Sequence, residues 1–195
     1  IPGYVGVTSN PWANIGDMEN KGLELNLSYK KTWGDFKFNA TGNFSLLKNE
    51  ITKLEDNLEY VDYARVQPIG AVARLAVGYS YGSFFGYKTN GIFQNWDEIN
   101  TYVNSSGSLI QPNAQPGDFK WIDANGDGEI DDDDKIYLGN SVPKYTLGLT
   151  INMSYKNWDF MAFAQGQGGN KLFQGLRRLD IPKANYQTSV LERWT

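Results

Sequence analysis

The residues of this sequence best suited to chemistry lie in one acidic, glycine-containing loop, residues 123–134. Oxygen-bearing side chains recur at alternate positions, and the sixth position is a glycine. Because Ca²⁺ takes about six to eight oxygen ligands, alternate residues of a tightly wound loop can all point inward only where glycine permits the turn. The pattern predicts a calcium site with the ligands Asp123, Asn125, Asp127, Glu129 through its main-chain carbonyl, Asp131 and Asp134.

The kind of calcium site follows from the loop's last position and its flanks. Position 12 is Asp134 rather than the Glu of EF-hand proteins, and no long amphipathic helix precedes the loop. This favours a structural site of extracellular type over a switching sensor. A solvated acidic turn without metal is the alternative. A glycosidase is disfavoured, because its two carboxylates must face each other across a sugar, about 5 to 9.5 Å apart.

Aromatic residues interleaved with glycine form a second notable segment, residues 78–87. Exposed aromatic rings stack on sugars or bury into partner proteins, whereas the alternative is simple packing within the loop. Two tryptophans further along the chain are open to the same two interpretations. The candidate substrate or partner residues are Tyr81, Phe84, Phe85, Tyr87, Trp96 and Trp121.

Composition excludes several classes of protein. The 195 residues contain neither cysteine nor histidine, so disulfides, Ser-His-Asp triads and histidine-based zinc sites cannot form within them. The net charge of -4 argues against binding to nucleic acid. No apolar run approaches the roughly 18 residues of a membrane-spanning helix. Because the chain opens on Ile1 and ends without an evident terminal element, we expect an excised piece of a longer protein.

Two pairs of alternating segments predict β-hairpins. Residues 21–30 and 35–46 each alternate apolar with polar side chains across a short link, which predicts a hairpin over 21–46. Residues 144–155 and 158–166 repeat the pattern, which predicts a hairpin over 144–166. A short helix is predicted over 96–103, where Asn95 and Glu98 have the spacing of a capping box.

The connections between the predicted strands differ greatly in length. Residues 47–143 separate the hairpins, and residues 167–195 follow the second one. If the two tight turns share one side of a barrel, strand parity puts both long segments on the other side, which is extracellular in outer-membrane barrels. The predicted fold class is all-β, an antiparallel transmembrane β-barrel with long extracellular loops. A soluble β-sandwich is the alternative.

Six groups of residues, in order along nearly the whole chain, resemble motifs of the SusC/RagA family of TonB-linked outer-membrane proteins. They correspond to the C-terminal barrel region of that family. The groups are 20–25 (NKGLEL), 48–51 (KNEI), 82–87 with 90–94 (GSFFGY and NGIFQ), 116–123 (PGDFKWID), 139–145 (GNSVPKY) and 165–169 (QGQGG).

The resemblance implies a fragment of a TonB-dependent transporter whose parent barrel has about 22 strands. All of residues 1–195 would belong to the C-terminal barrel domain, with 47–143 and 167–195 extracellular. The implied function is import of oligosaccharides or peptides across the bacterial outer membrane, without enzymatic activity. The implied partners are a SusD-like surface lipoprotein, outer-membrane lipid and TonB, which would contact a missing N-terminal part. The alternative function is a secreted, calcium-stabilised glycan-binding β module.

Overall fold

The computed structural model describes residues 14–55, 58–67, 69–175, 185–192 and 194. Within these residues a single α-helix, α1, spans Trp96–Thr101, and 3₁₀ helices cover Asp132–Asp134 and Thr188–Glu192. The strands are β1 (Gly16–Trp33), β2 (Phe36–Leu54), β3 (Tyr60–Val66), β4 (Gly70–Ala76), β5 (Ser83–Gly86), β6 (Thr89–Ile92), β7 (Phe119–Trp121), β8 (Ile136–Asn140), β9 (Tyr145–Tyr155) and β10 (Trp158–Gly168).

The predicted all-β antiparallel architecture is confirmed. No helix in the described part of the chain is long and apolar enough to cross a membrane.

The chain divides into two compact units. The first comprises Ile1–Val61, Leu75–Tyr81 and Pro143–Gly169. The second comprises Asp62–Arg74, Gly82–Val142 and Asn170–Thr195.

A four-stranded antiparallel sheet in the order β1-β2-β9-β10 dominates the first unit. The first hairpin includes the predicted residues 21–46 and is longer, since β2 continues through the KNEI segment to Leu54. The second hairpin includes residues 144–166 and extends to Gly168. Because β2 pairs antiparallel with β9, both tight turns lie at the same end of the sheet, as strand parity predicted.

One face of this sheet is mainly apolar from Leu23 to Trp33 along β1, with Lys31 as an exception, and beyond Leu23 the same face carries charged side chains such as Lys21 and Glu50. The strand register places Leu25, Phe44 and Leu147 in one row across β1, β2 and β9. In other rows across these strands, large apolar side chains on one strand lie beside small ones on the next. At the turn end, an aromatic row closes the face. Its members are Trp33, Phe36, Tyr155 and Trp158.

The opposite face of the sheet is mainly polar. Its side chains hydrogen-bond across strands, as between Ser45 Oγ and Thr146 Oγ1 at 2.6 Å. Asn49 Nδ2 also donates to Asn20 Oδ1 at 2.7 Å. Exposed apolar side chains interrupt this polar face at Met161 and Phe163 of β10 and at Leu47 of β2.

The second unit contains a sheet in the order β3-β4-β5-β8 and a β6-β7 ribbon. The sequence did not predict these strands within residues 47–143, because strands of three to seven residues are too short to show a clear period of two. Helix α1 begins where predicted and ends at Thr101 instead of residue 103. Asn95 Oδ1 accepts from Glu98 N at 2.9 Å, while the Glu98 carboxylate accepts from Gln94 N at 3.1 Å, one residue earlier than in a standard capping box.

A small apolar core stabilises the second unit beside this helix. Phe93, Ile99 and Ala114 are buried together, and Tyr102 packs against them. The Lys120 ammonium lies 4.9 Å from the centre of the Tyr102 ring, a favourable cation–π distance. This core holds the ribbon from which the acidic loop departs.

The predicted extracellular tail, residues 167–195, lies partly outside the described residues. Its first two residues belong to β10, and residues 176–184 are not described.

Candidate metal-binding loop and aromatic segment

The acidic loop leaves the end of β7 and leads into β8. Two of its glycines adopt positive φ values, Gly126 at 81° and Gly128 at 92°. The second is also crowded, because a Cβ on Gly128 would lie 2.5 Å from Asn104 Nδ2. A side chain there would be both strained and obstructed, so the sixth position of the loop requires glycine.

The carboxylates in the first half of the loop are oriented by backbone amides. Asp123 accepts from Gly126 N at 2.6 Å and from Gly128 N at 2.8 Å. Asp127 accepts from Glu129 N at 2.9 Å, and this hydrogen bond lowers the pKa of the Asp127 carboxyl. Asn125 Oδ1 accepts from Asp127 N at 3.0 Å. Each side chain therefore turns back on its own loop, as Asx turns do.

Asp134 closes the loop from inside. Its side chain is fully buried and accepts from Ala124 N at 2.6 Å and from Asp131 N at 2.9 Å. With Asp131 it forms a capping box around the 3₁₀ helix Asp132–Asp134. A buried carboxylate needs such charge-assisted hydrogen bonds, so Asp134 has a structural role whether or not a metal binds.

The six predicted ligands thus lie in one loop, but they do not form a coordination sphere. Nowhere in the described ranges do three or more acidic side chains come together in an arrangement that could hold a metal ion. Asp123, Asn125 and Asp127 lie in the first half, with Asp134 bonded to the backbone beneath them. Asp131 caps the 3₁₀ helix, and Glu129 is exposed.

A lysine and a tyrosine hold the end of the loop. Lys135 Nζ contacts Asp132 Oδ1 at 2.7 Å, and Tyr87 Oη donates a long hydrogen bond of 3.3 Å to the same oxygen. The hydrogen bond from Lys135 lowers the pKa of Asp132, and the same bond raises the pKa of Lys135. Burial raises the pKa of Tyr87, which therefore stays a neutral donor at physiological pH.

Most of the predicted aromatic candidates are packed within the second unit. Phe85 lies edge-on to Tyr137, with ring centres 6.0 Å apart, and under the Arg74 guanidinium at 5.2 Å. The ring centres of Phe84 and Phe173 lie 6.5 Å apart.

The remaining candidates differ in accessibility. Tyr87 and Trp121 lie with their ring centres 5.6 Å apart. Tyr81 in the first unit is 50% exposed, and Trp96 at the start of α1 is 58% exposed. These two are the most exposed of the six candidates, while the other four are half-buried and pack within the second unit.

Sequence reasoning missed a buried ion pair. Arg74 is 7% exposed and donates to both carboxylate oxygens of Asp62, at 2.8 and 3.2 Å. The pair and the Phe85 ring together neutralise and cover a cation that is otherwise costly to bury. Twelve residues separate the partners, and no local pattern marked either one.

Sequence reasoning also missed the role of Asn49, although the KNEI motif contains it. Its Oδ1 accepts from Ser80 Oγ at 2.8 Å and from Tyr81 N at 2.6 Å, while Nδ2 donates to Asn20. Ile51 adds two backbone hydrogen bonds to the same returning segment, Leu75–Tyr81. Within the first unit, Asn49 therefore holds the chain as it returns from β4 to the sheet.

Comparison with known proteins places this chain among receptors. No family model matches the sequence. The chain is 32% identical over 199 residues to TonB-dependent receptor P3 of Formosa agariphila, covering 100% of this chain and 19% of the relative. It is 30% identical over 185 residues to TonB-dependent receptor SusC of Bacteroides thetaiotaomicron, covering 91% and 16%. The chain therefore spans about a fifth of the length of these relatives, which are receptors and not enzymes.

Solved structures give the same architecture. The structure of the RagAB peptide transporter matches with a TM-score of 0.58 and 20% identity, covering 87% of this chain and 17% of that one. At this identity the match shows the fold alone. TonB-dependent receptors are outer-membrane proteins, so the predicted location of the chain in the bacterial outer membrane is confirmed. The chain is related over its whole length to TonB-dependent receptors, and the predicted resemblance to the SusC/RagA family is confirmed.

Proposed function

We propose that this chain forms part of the barrel wall and outer loops of a TonB-dependent importer, which carries oligosaccharides or peptides across the outer membrane. It would act without catalysis, as the barrel component of a SusCD-like complex. The observation that carries the proposal is the apolar face of the β1-β2-β9-β10 sheet between Leu23 and Trp33, whose large side chains are exposed. Such a face is stable only against lipid or another apolar layer.

The height of the apolar face supports contact with lipid. It runs from Leu23 to Trp33 along β1, and at about 3.3 Å per residue this distance is roughly 33 Å. A strand tilt of about 40° reduces the height to about 25 Å, which is the apolar band of an outer-membrane barrel. The aromatic row at Trp33 would then form the girdle at one membrane interface.

The connections suggest an orientation and a set of partners. Short turns are periplasmic in outer-membrane barrels, so residues 47–143 and 167–195 would face outward. There they would meet a SusD-like lipoprotein and the substrate, while TonB would act through parts of the receptor outside this chain. The likeness to a peptide transporter supports peptides as one proposed substrate class, and oligosaccharides remain the other.

A pair of adjacent substitutions tests the lipid-facing wall. Leu27 lies on the apolar face near mid-height, and Ser28 lies on the polar face. In the parent receptor, Leu27→Arg should lower stability by about 2–4 kcal/mol and reduce outer-membrane abundance, whereas Ser28→Arg should be tolerated. Abundance is measured in fractionated outer membranes, and folding by faster gel migration before boiling. Equal loss from both variants would rule out a lipid-facing wall.

We also propose that the acidic loop binds Ca²⁺ as a structural ion. Two features support this proposal. The oxygen-bearing side chains have the spacing of a calcium loop, and Gly128 supplies the glycine that the sixth position requires. Since a carboxylate has about four lone-pair sites, Asp123 and Asp127 retain acceptor capacity beyond their backbone bonds. Asp131 and Asp134 would have to give up part of their capping role, so binding requires rearrangement of the second half of the loop.

Calcium stoichiometry of the purified parent receptor tests this site. Asp127→Ala should remove one bound Ca²⁺, because this exposed carboxylate is the ligand whose loss disturbs the loop least. Asp133→Ala is the matched control, since it lies in the same acidic run at a position that the calcium pattern does not use. Asp134→Ala is less informative, because it removes a buried cap in any case. Unchanged stoichiometry in Asp127→Ala would refute the site.

A further inference from the structure

A preformed pocket in the second unit lies between the β7 strand and residues 110–114. We name it the Phe119 pocket. The lining residues that matter here are Gln111, Asn113, Asp118, Phe119, Trp121 and Ile130. Of these, only Trp121 was a candidate substrate or partner residue from the sequence, and Ile130 is the one that belongs to the acidic loop without being a predicted calcium ligand.

Hydrogen bonds hold one wall of the pocket in place. Gln111 bonds to the backbone on both sides of Lys120, since Nε2 donates to Phe119 O at 3.1 Å and Oε1 accepts from Trp121 N at 2.8 Å. These two hydrogen bonds fix the segment 110–114 beside β7. The wall therefore keeps its shape without a ligand, which lowers the entropic cost of binding.

A tight turn fixes the other wall. Gln115 N donates to Asp118 Oδ2 at 2.9 Å, and Asp118 N donates to Gln115 O at 3.0 Å. Gly117 between them has a φ of 101°, and its amide donates to Phe93 O at 2.8 Å in the buried core. Proline followed by glycine in this turn is the signature of a type II turn. The pocket is thus anchored to the buried core of the unit.

Two aromatic rings present apolar surface to the pocket. The ring centres of Phe119 and Trp121 lie 5.2 Å apart, and Phe119 is 52% exposed. Trp121 is fixed by Tyr102, whose Oη donates to its carbonyl oxygen at 2.6 Å.

Polar groups of complementary kinds flank the rings. The exposed Asn113 amide makes no hydrogen bond within the described part of the chain, so it can both donate and accept. Asp118 keeps one carboxylate oxygen beyond its bond to Gln115. Among the described lining residues none is positively charged, so the pocket offers no partner to an acidic ligand.

We propose that the Phe119 pocket binds one sugar ring of a neutral oligosaccharide. A pyranose has an apolar face that covers an aromatic ring, and hydroxyls at its edge that both donate and accept, which matches the groups present. An acidic peptide would bring carboxylates that Asp118 repels. This inference rests on the proposed function, because an outward loop of an importer would meet the oligosaccharide before it enters the barrel.

The test is equilibrium binding to the purified, full-length parent receptor in detergent. The probes are neutral hexasaccharides of the malto-, cello-, laminari- and manno- series, with a mixed hexapeptide library as the competing class. Loss of one stacking contact should weaken binding of the active saccharide about tenfold in Phe119→Ala. Asn113→Ala should weaken it severalfold. Phe119→Trp, which keeps the stacking surface, should restore affinity.

Tyr186→Ala is the control, because Tyr186 is an exposed aromatic residue of the same unit that does not line the pocket. The proposal is overturned if no saccharide binds, if binding is equal in Phe119→Ala and wild type, or if hexapeptides bind and depend on Phe119 instead. Uptake of the saccharide in cells with and without TonB is measured separately. Binding without uptake would refute the proposed importer but not the proposed pocket. Uptake that is unchanged in Phe119→Ala would support the importer and refute the pocket.

Discussion

At the scale of single residues, Asn49 shows how one side chain can join distant parts of a chain. Its amide bonds to Asn20, Ser80 and Tyr81, so it ties β1, β2 and the returning Leu75–Tyr81 segment together. Its Oδ1 accepts two hydrogen bonds and its Nδ2 donates one, so truncation would remove the acceptor that Ser80 Oγ and Tyr81 N share.

We predict that Asn49→Ala lowers the free energy of unfolding by about 1–3 kcal/mol and speeds exchange of the Tyr81 amide hydrogen. Hydrogen exchange with mass spectrometry on the detergent-solubilised receptor provides both quantities. Asn39→Ala is the matched control, because Asn39 lies on the same strand and the same polar face. If the two variants exchange alike at residues 78–81, Asn49 does not hold this segment.

The sequence could indicate some of these residues but not their partners. The spacing within residues 123–134 identified the turn and its required glycine, since both follow from local geometry. It did not show that Asp134 would be buried as a cap, nor that Asn49 would meet Ser80 thirty-one residues later. Contacts of this kind join residues that lie far apart in the sequence, and no periodic pattern of residue types marks them.

At the scale of elements, the two tight turns contrast in their chemistry. Each has two residues, and each has a positive φ at the first one, where type II′ turns use glycine. In the first turn this residue is Gly34 with a φ of 57°, and in the second it is Lys156 with a φ of 53°. The lysine accepts backbone strain that the glycine avoids.

Opposite effects are therefore expected from exchanging these residue types. Gly34→Ala should destabilise the barrel by about 1–2 kcal/mol, whereas Lys156→Gly should stabilise it by about 0.5–1 kcal/mol. No atom lies within 4 Å of a Cβ built on Gly34, so steric clash does not contribute to the effect of Gly34→Ala. Unfolding in denaturant, followed by fluorescence, measures both changes. A shift of the same sign in both variants would contradict the turn assignment.

The predictability of the elements follows their length. β1, β2, β9 and β10 could be predicted because eleven or more residues with one apolar face give a clear alternation. β3 to β8 could not, since each has at most seven residues and most are half-buried on both faces. The pairing of β2 with β9 also lay beyond the sequence, because ninety residues separate the two strands.

At the scale of the whole molecule, the chain exposes more apolar surface than a water-soluble protein of its size tolerates. The large side chains of the sheet face are exposed, and the described residues contain only a small buried cluster around Phe93. A secreted glycan-binding module, the alternative function, would instead need a closed core of its own.

We therefore predict that the 195 residues expressed alone in water form aggregates and require detergent or lipid to stay dispersed. Ultracentrifugation of refolded chain, with and without detergent, measures the outcome. A monodisperse monomer with a cooperative thermal transition in buffer would contradict the prediction and favour the secreted module.

The placement of both tight turns at one end of the sheet has a consequence for engineering. Extra residues at that end would push Trp33 or Trp158 out of the aromatic row, so the chain has no room to lengthen there. The long segment 47–143 contains exposed turns, such as the one at Gly107, where no atom lies within 4 Å of an added Cβ. An epitope tag inserted after Ser105 should be accepted and, in the proposed orientation, displayed on intact cells.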